Sequence, residues 1–224
     1  TRKATERNHS ATHLLHEALR DTLGSHVEQR GSLVEAKGLR FDFSHPGKVD
    51  VETLHQIEDQ VNAKIWKNIS LEENRNALIE EAKAQGAMAL FGEKYGDVVR
   101  TIKFGSSIEL CGGCHVRSTG AIGQFIITAE SSVASGIRRI EAITGEAALA
   151  MMQRQRQVLH EGQELLGQGE MLSSITKLIE DNKAYAKKIE SYKALEGQAV
   201  KKDWADQVQQ VGKVNIGSYT TDLD

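Results

Sequence analysis

The stretch Arg7-Asn8-His9-Ser10-Ala11-Thr12-His13-Leu14-Leu15-His16 decides how the rest of the chain is read. Across residues 6–24, Ala11, Leu14, Leu15, Ala18, Leu19 and Thr22 recur at helical spacing, which predicts one helix with a core-facing stripe. At about 100° per residue, His9, His13 and His16 fall on the other side of that helix. They interrupt nothing in the apolar stripe and make a second face. Residues four apart are neighbours on a helix, so the imidazoles of His9 and His13 can reach one ion. Alone, such a pair is a modest signal, because a solvated polar face gives the same pattern. Residue 10 is Ser, so the H-E-x-x-H of zinc proteases, with its general base, is absent.

The second half of the constellation is Cys111-Gly112-Gly113-Cys114-His115. Thiolate and imidazole are preferred zinc ligands. Two glycines let the backbone turn tightly enough for side chains to converge. Both cysteines of the chain lie in this pentapeptide, which excludes a disulfide framework and leaves redox, metal-binding or inert roles. No secretion signal opens the sequence, so the expected compartment is reducing and cytoplasmic, which favours metal binding. An H-x-x-x-H and a C-x-x-x-H together supply four ligands. Two rivals remain on the residues alone: Cys114 could replace His115, and His16 shares the face of His9 and His13.

The surroundings fit a mixed fold. With 224 residues, 39% hydrophobic and 26% charged, the chain can build a packed core. The formal charge of -3 gives no global basic field, so any RNA contact must use a local patch of Lys or Arg. No apolar run approaches membrane-spanning length. Two strands are expected at residues 26–34 and 39–43 around a turn at 35–38, followed by a proline turn at 44–47. Helices are expected at 50–67 and 76–84, with Gly86 as a cap, and strands at 98–104 and 123–127. From about Thr144 to Gln210 the chain turns polar and helical, broken near Gly162, Gly167 and Gly169. Ile175, Leu178, Asn182, Tyr185, Ile189, Tyr192 and Ala199 follow heptad-like spacing, with Glu196 an exception, as in a stalk or weak coiled coil. One further strand is expected at 211–219. The start on Thr1-Arg2-Lys3 and that unpaired strand suggest a piece of a longer protein.

At these residues the sequence resembles the editing domain of alanyl-tRNA synthetases, shared more distantly with threonyl-tRNA synthetases. The carriers are the opening decapeptide, Gly31-Ser32-Leu33-Val34, Leu39-Arg40-Phe41-Asp42-Phe43-Ser44-His45 and Gly86-Ala87-Met88-Ala89-Leu90-Phe91-Gly92-Glu93-Lys94-Tyr95. They continue, in order, in Glu109-Leu110-Cys111-Gly112-Gly113-Cys114-His115 and Gly136-Ile137-Arg138-Arg139-Ile140-Glu141. The resemblance implies an α+β editing domain over residues 1–143, a helical stalk or coiled coil over 144–210, and the start of a truncated C-terminal domain at 211–224. It implies Zn2+ held by His9, His13, Cys111 and His115, and deacylation of Ser-tRNA-Ala and Gly-tRNA-Ala. Thr12, Gln29 and Ser32 would line the specificity pocket, with Thr12 sensing the seryl hydroxyl. Arg138 and Arg139 are candidate contacts to the acceptor end of tRNA-Ala, and the stalk is a candidate surface for self-association. No catalytic residue is assigned beyond the zinc ligands. ATP and Mg2+ would belong to an aminoacylation domain preceding Thr1 in an intact alanine–tRNA ligase. The family usually carries Thr where this chain has Cys114. The competing readings are a structural zinc module that binds tRNA without chemistry, a free-standing editing protein, and a threonyl-type editing domain.

Overall fold

The computed structural model describes residues 1–88, 95–167 and 169–217. The elements run α1 (Arg2–Leu23), β1 (Gln29–Val34), β2 (Leu39–Ser44), α2 (Val51–Trp66), β3 (Glu72–Leu78), α3 (Ile79–Ala84), β4 (Val98–Phe104) and β5 (Ser107–Leu110). A 3-10 turn (Thr119–Ile122) leads to β6 (Phe125–Ala134), β7 (Ile137–Thr144), α4 (Gly145–Leu166), α5 (Met171–Asp206), β8 (Gln209–Val211) and β9 (Val214–Ile216). The chain divides into two compact units, Thr1–Gln155 and Arg156–Asp224.

The first unit is the α+β domain. Its larger sheet is antiparallel in the order β1-β2-β7-β6, and a smaller one runs β3-β4-β5. Leu39, Phe41 and Phe43 alternate inward along β2 and are buried with Leu14, Leu15 and Leu19 of α1 and Ile57 and Val61 of α2. Their alternation is the period-two pattern of a strand with one face on a core. The surprise is α1. Every residue from Ser10 to Leu19 is buried, so His13 and His16 are as dry as the leucine face, while His9 is half-buried. The apolar stripe packs into the core, and the opposite face is covered by β5 and the loop after it, where Glu109 and His115 meet the histidines.

Three stretches depart from the sequence reading. Residues 72–78 form an edge strand on β4 rather than the start of a helix, and only Ala77 of that strand is buried. Its backbone pairing carries the strand, so the side chains show no alternation to read. The strand expected at 123–127 runs on to Ala134 and turns at Gly136 (φ 72°) into β7. Gly162 lies inside α4, and the helix break falls at Gly167, whose φ of 76° is the left-handed conformation that glycine tolerates.

In the second unit, α5 has no buried residue and leaves Ile175, Leu178, Tyr185, Ile189 and Tyr192 exposed. The expected lone strand at 211–219 is instead, through residue 217, the end of a two-stranded hairpin, β8 with β9, turning at Gly212. Residues 218–219 of that expectation, and 89–94 of the Gly86–Tyr95 motif, lie outside the described residues. No helix among the described residues is long and apolar enough to cross a membrane.

Candidate metal centre

His9 and His13 project from successive turns of α1, and Cys111 follows directly on β5. The Cys111–His115 loop then folds back over the helix. One donor atom from each of His9, His13, Cys111 and His115 lies within 4.8 Å of the others. Cys111 Sγ is 3.5 Å from His9 Nε2 and 3.3 Å from His115 Nε2. The His13 ring centroid is 5.3 Å from that of His9 and 4.5 Å from that of His115. Four donors so close could all bind a tetrahedral ion, whose ligand bonds are about 2.0–2.3 Å.

Three features make the set fit a metal ion. First, His13 Nδ1 is buried and has no hydrogen-bond partner among the described residues, while its other nitrogen, Nε2, lies 3.4 Å from Glu109. A buried polar nitrogen without a partner costs about 1–3 kcal/mol, and an ion would satisfy it. Second, Gly113 is required by contact: a Cβ there would collide with the His9 ring. Third, burial holds all three imidazoles below the usual histidine range: His13 well below, His115 down to about 3, and His9 more mildly. Neutral imidazole is the form that ligates a metal.

Partners behind the donors orient them. Ser10 Oγ lies 3.1 Å from His115 Nδ1 and accepts from the Val116 backbone N–H at 3.1 Å. With the His115 proton on Nδ1, donating to Ser10, the Nε2 lone pair faces the other donors. Glu109 is buried and sits between His13 and His16, at 3.4 Å and 2.9 Å. Its carboxyl is pushed up by desolvation, opposed by the hydrogen bond from His16. Arg100 donates to the carbonyls of Cys111 and Gly113 at 2.9 and 2.6 Å, which fixes the loop. Carboxylate, hydroxyl and carbonyl partners of this kind set ligand tautomer and aim.

Neither rival ligand joins the group. His16 turns to Glu109, and Cys114 is exposed, 3.8 Å from Arg2 Nη2. Thr12 is buried on α1 and donates its hydroxyl proton to the Asn8 carbonyl at 2.9 Å. Gln29 and Ser32 come together on β1: the register shift between Gln29 and Gly31 lets Gln29 Nε2 donate to Ser32 Oγ at 3.1 Å. Arg138 and Arg139 are tied into the sheet. Arg138 pairs with Glu130, and Arg139 makes a bidentate pair with Asp42, its direct cross-strand neighbour, at 2.6 and 2.7 Å.

Sequence reasoning gave no role to Glu109, Ser10 or Arg100. Glu109 could have been found: it lies two residues before Cys111 in a strand, and so on the same face. Ser10 had no signal beyond adjacency to His9, and Arg100 is one arginine among many on an otherwise ordinary strand.

Residues 99–141, which include Cys111 and His115, match the family described as threonyl and alanyl tRNA synthetase second additional domain. Across 218 residues (96% of this chain) the sequence is 52% identical to the alanine–tRNA ligase of Cytophaga hutchinsonii. It is 50% identical over 221 residues to that of Christiangramia forsetii and 50% identical over 216 residues to that of Bacteroides fragilis. In each case the matched stretch is 25% of the relative's length, so the chain spans about a quarter of the curated relatives it matches. The chain therefore belongs, over nearly all its length, with the part of alanine–tRNA ligases that carries the second additional domain, an editing domain of α+β fold followed by a long helix.

Proposed function

We propose that this chain is an aminoacyl-tRNA editing hydrolase that deacylates Ser-tRNA-Ala and Gly-tRNA-Ala at a zinc centre formed by His9, His13, Cys111 and His115. The observation that carries the reading is the convergence of those four donors within 4.8 Å, in a chain whose matched family is a tRNA synthetase additional domain. The reaction is ester hydrolysis, which needs an activated water and a stabilised tetrahedral oxyanion. Bound zinc would supply Lewis acidity for the carbonyl or the water. The chain's own groups set the stage. Burial keeps the imidazoles neutral, Ser10 holds the His115 ring, and Glu109 sits against Nε2 of His13. Editing is assigned to residues 1–143 and the stalk to 144–210. The exposed Ile175, Leu178, Tyr185, Ile189 and Tyr192 suit pairing with a second copy of the chain.

Thr12 is the proposed reader of the seryl hydroxyl. Its proton is already given to Asn8, so its oxygen can only accept, and the hydroxyl of a seryl substrate would donate to it. Gln29 and Ser32 would line the same pocket. Deacylation by the purified chain, with and without chelator, tests the reaction; turnover that survives complete removal of metal sinks it. Thr12→Val keeps the shape and removes the acceptor. It should cost about 1–3 kcal/mol in kcat/KM on Ser-tRNA-Ala, the usual cost of a lost buried hydrogen bond. The loss on Gly-tRNA-Ala should be much smaller, since glycine has no hydroxyl. Equal losses on both substrates would remove Thr12 from recognition.

A further inference from the structure

Beside the metal centre lies a cavity of about 590 Å³ that shares His115 with the donor set. Arg2, Arg75, Arg100 and Arg117 line it, with Glu6 and Glu73 among them and His115 in its wall. Its volume is in the range of pockets that take small ligands. The arginines differ in how far they are committed. Arg100 is spent on Glu73 and on two carbonyls of the metal loop. Arg75 shares that same Glu73 carboxylate at 2.6 Å, and its side chain is 76% exposed. Arg117 is exposed, and among the described residues its guanidinium has no hydrogen-bond or ion-pair partner. Arg2 pairs with Glu6 at 3.0 Å, so two carboxylates serve three arginines while a fourth, Arg117, goes unmatched, in a chain whose formal charge is -3. Backbone pairing holds Arg117, whose carbonyl accepts from the Leu71 N–H at 2.9 Å, while Arg75 lies in the irregularity of β3 between Asn74 and Ala77.

The position matters as much as the sign. On α1, Arg2, Glu6, His9 and His13 follow one another at four-, three- and four-residue spacing, so they lie along one helix face. The arginine-lined cavity is therefore the continuation of the metal-binding face. A ligand whose reacting end sits at the four donors would extend into it. Arg138 and Arg139, by contrast, are neutralised by Glu130 and Asp42.

We infer that this cavity binds the phosphates of the 3′-terminal nucleotides of an RNA, with Arg117 and Arg75 as the phosphate contacts and Arg2 at the rim. The assignment rests on the editing reading above, because it takes the RNA end to be what carries the ester. Guanidinium groups recognise phosphate by paired N–H donors, and each phosphate contact releases counterions, so binding weakens with salt in proportion to the contacts made.

The test is fluorescence anisotropy of the 224-residue chain, zinc-loaded, with an uncharged RNA hairpin ending in CCA, across a salt series. Arg117→Gln and Arg75→Gln should each weaken binding several-fold and lower the slope of log affinity against log salt by roughly one. Arg154→Gln on α4 is the comparison variant and should match the parent. Zinc content, measured on every variant, should stay the same, which separates loss of a phosphate contact from loss of the fold around the loop. If both pocket variants bind with the parent's affinity and slope while the parent binds RNA and hydrolyses Ser-tRNA-Ala, the cavity assignment is wrong and the editing reading stands. If the parent binds no RNA, both fall together.

Discussion

Two places in the first unit bring histidine rings together, and they end differently. At the first, His9, His13 and His115 crowd around Cys111, with one buried imidazole nitrogen left unpartnered. At the second, His26 Nε2 and His45 Nδ1 meet at 2.9 Å, with their rings stacked at 5.2 Å. The second pair is complete as it stands: one ring donates its proton and the other accepts it. Nothing in it asks for an ion. The first cluster is not closed that way: His13 Nδ1 is buried and finds no hydrogen-bond partner among the described residues. Proximity of imidazoles is therefore a poor criterion for a metal site. Unmet hydrogen-bonding capacity, a thiolate and partners behind each ligand are better ones.

The largest break in the comparison should come from Cys111→Ala, which removes the soft ligand from the first cluster. Zinc affinity should fall steeply, and purified protein should lose most of its metal. His45→Ala in the second pair should leave zinc content at the level of the parent. A Cys111→Ala/Cys114→Ala protein that kept one full equivalent of zinc would make the two histidine sites alike and the four-residue set wrong.

Gly113→Ala should come next. The added methyl collides with the His9 ring, so the ring must swing away or the loop must lift. One of four donors is then displaced rather than deleted, and zinc affinity should fall by less than in Cys111→Ala. Gly112→Ala is the matched control, since a Cβ there meets nothing within 4 Å. Equal zinc affinity in both alanine variants would mean that His9 does not need its present position.

Ser10→Ala leaves all four donors in place and takes away the partner of His115 Nδ1 and of the Val116 N–H. Losing a residue that orients a ligand typically costs about 10–100-fold in metal affinity. Isothermal titration with zinc measures it, and parent-like affinity would show that the loop holds His115 without help.

The parts of this centre were legible to different depths. The i,i+4 histidines on a helix and the C-x-x-x-H beside them could be read because ligand spacing follows from helix geometry and from two glycines in a row. Their convergence could not be read from composition, because it depends on β5 lying against the far face of α1. That same contact buried the histidine side of the helix, which the sequence presented as a separate polar face. The larger sheet was half legible. Leu39, Phe41 and Phe43 alternate plainly, but β7 carries Arg138 and Arg139 near its start, and only the cross-strand carboxylates Asp42 and Glu130 explain why they sit there. β3 was hidden for the opposite reason: it is an edge strand with one buried side chain, so its hydrogen bonds hold it and its residues do not advertise it.

The smallest expected effect sharpens the other side of the comparison, through pH. His45 is held below the usual histidine range, first by partial burial and then by the positive charge of its neighbours His26 and Arg138, with Glu130 opposing. A histidine whose folded pKa is depressed binds fewer protons in the folded than in the unfolded chain, between that depressed value and the unfolded value of about 6.5. Stability from this group is therefore intact above about pH 6.5 and declines as the pH falls through that window. The ring is only partly buried and the neighbouring charges are screened, so the contribution is small. His45→Gln should remove it: urea unfolding at pH 7.5 and 5.5 should show a slightly smaller acid-induced loss than in the parent. The measurement is best made on zinc-loaded protein, where the first cluster is held by its ion and does not move between the two conditions. Ring NMR signals of His26 and His45 give the complementary reading. They should stay put while the first equivalent of zinc is added. A shift of those signals with the first equivalent would mean that the two histidine sites compete for the ion, and the distinction between a cluster that wants a metal and a pair that does not would collapse.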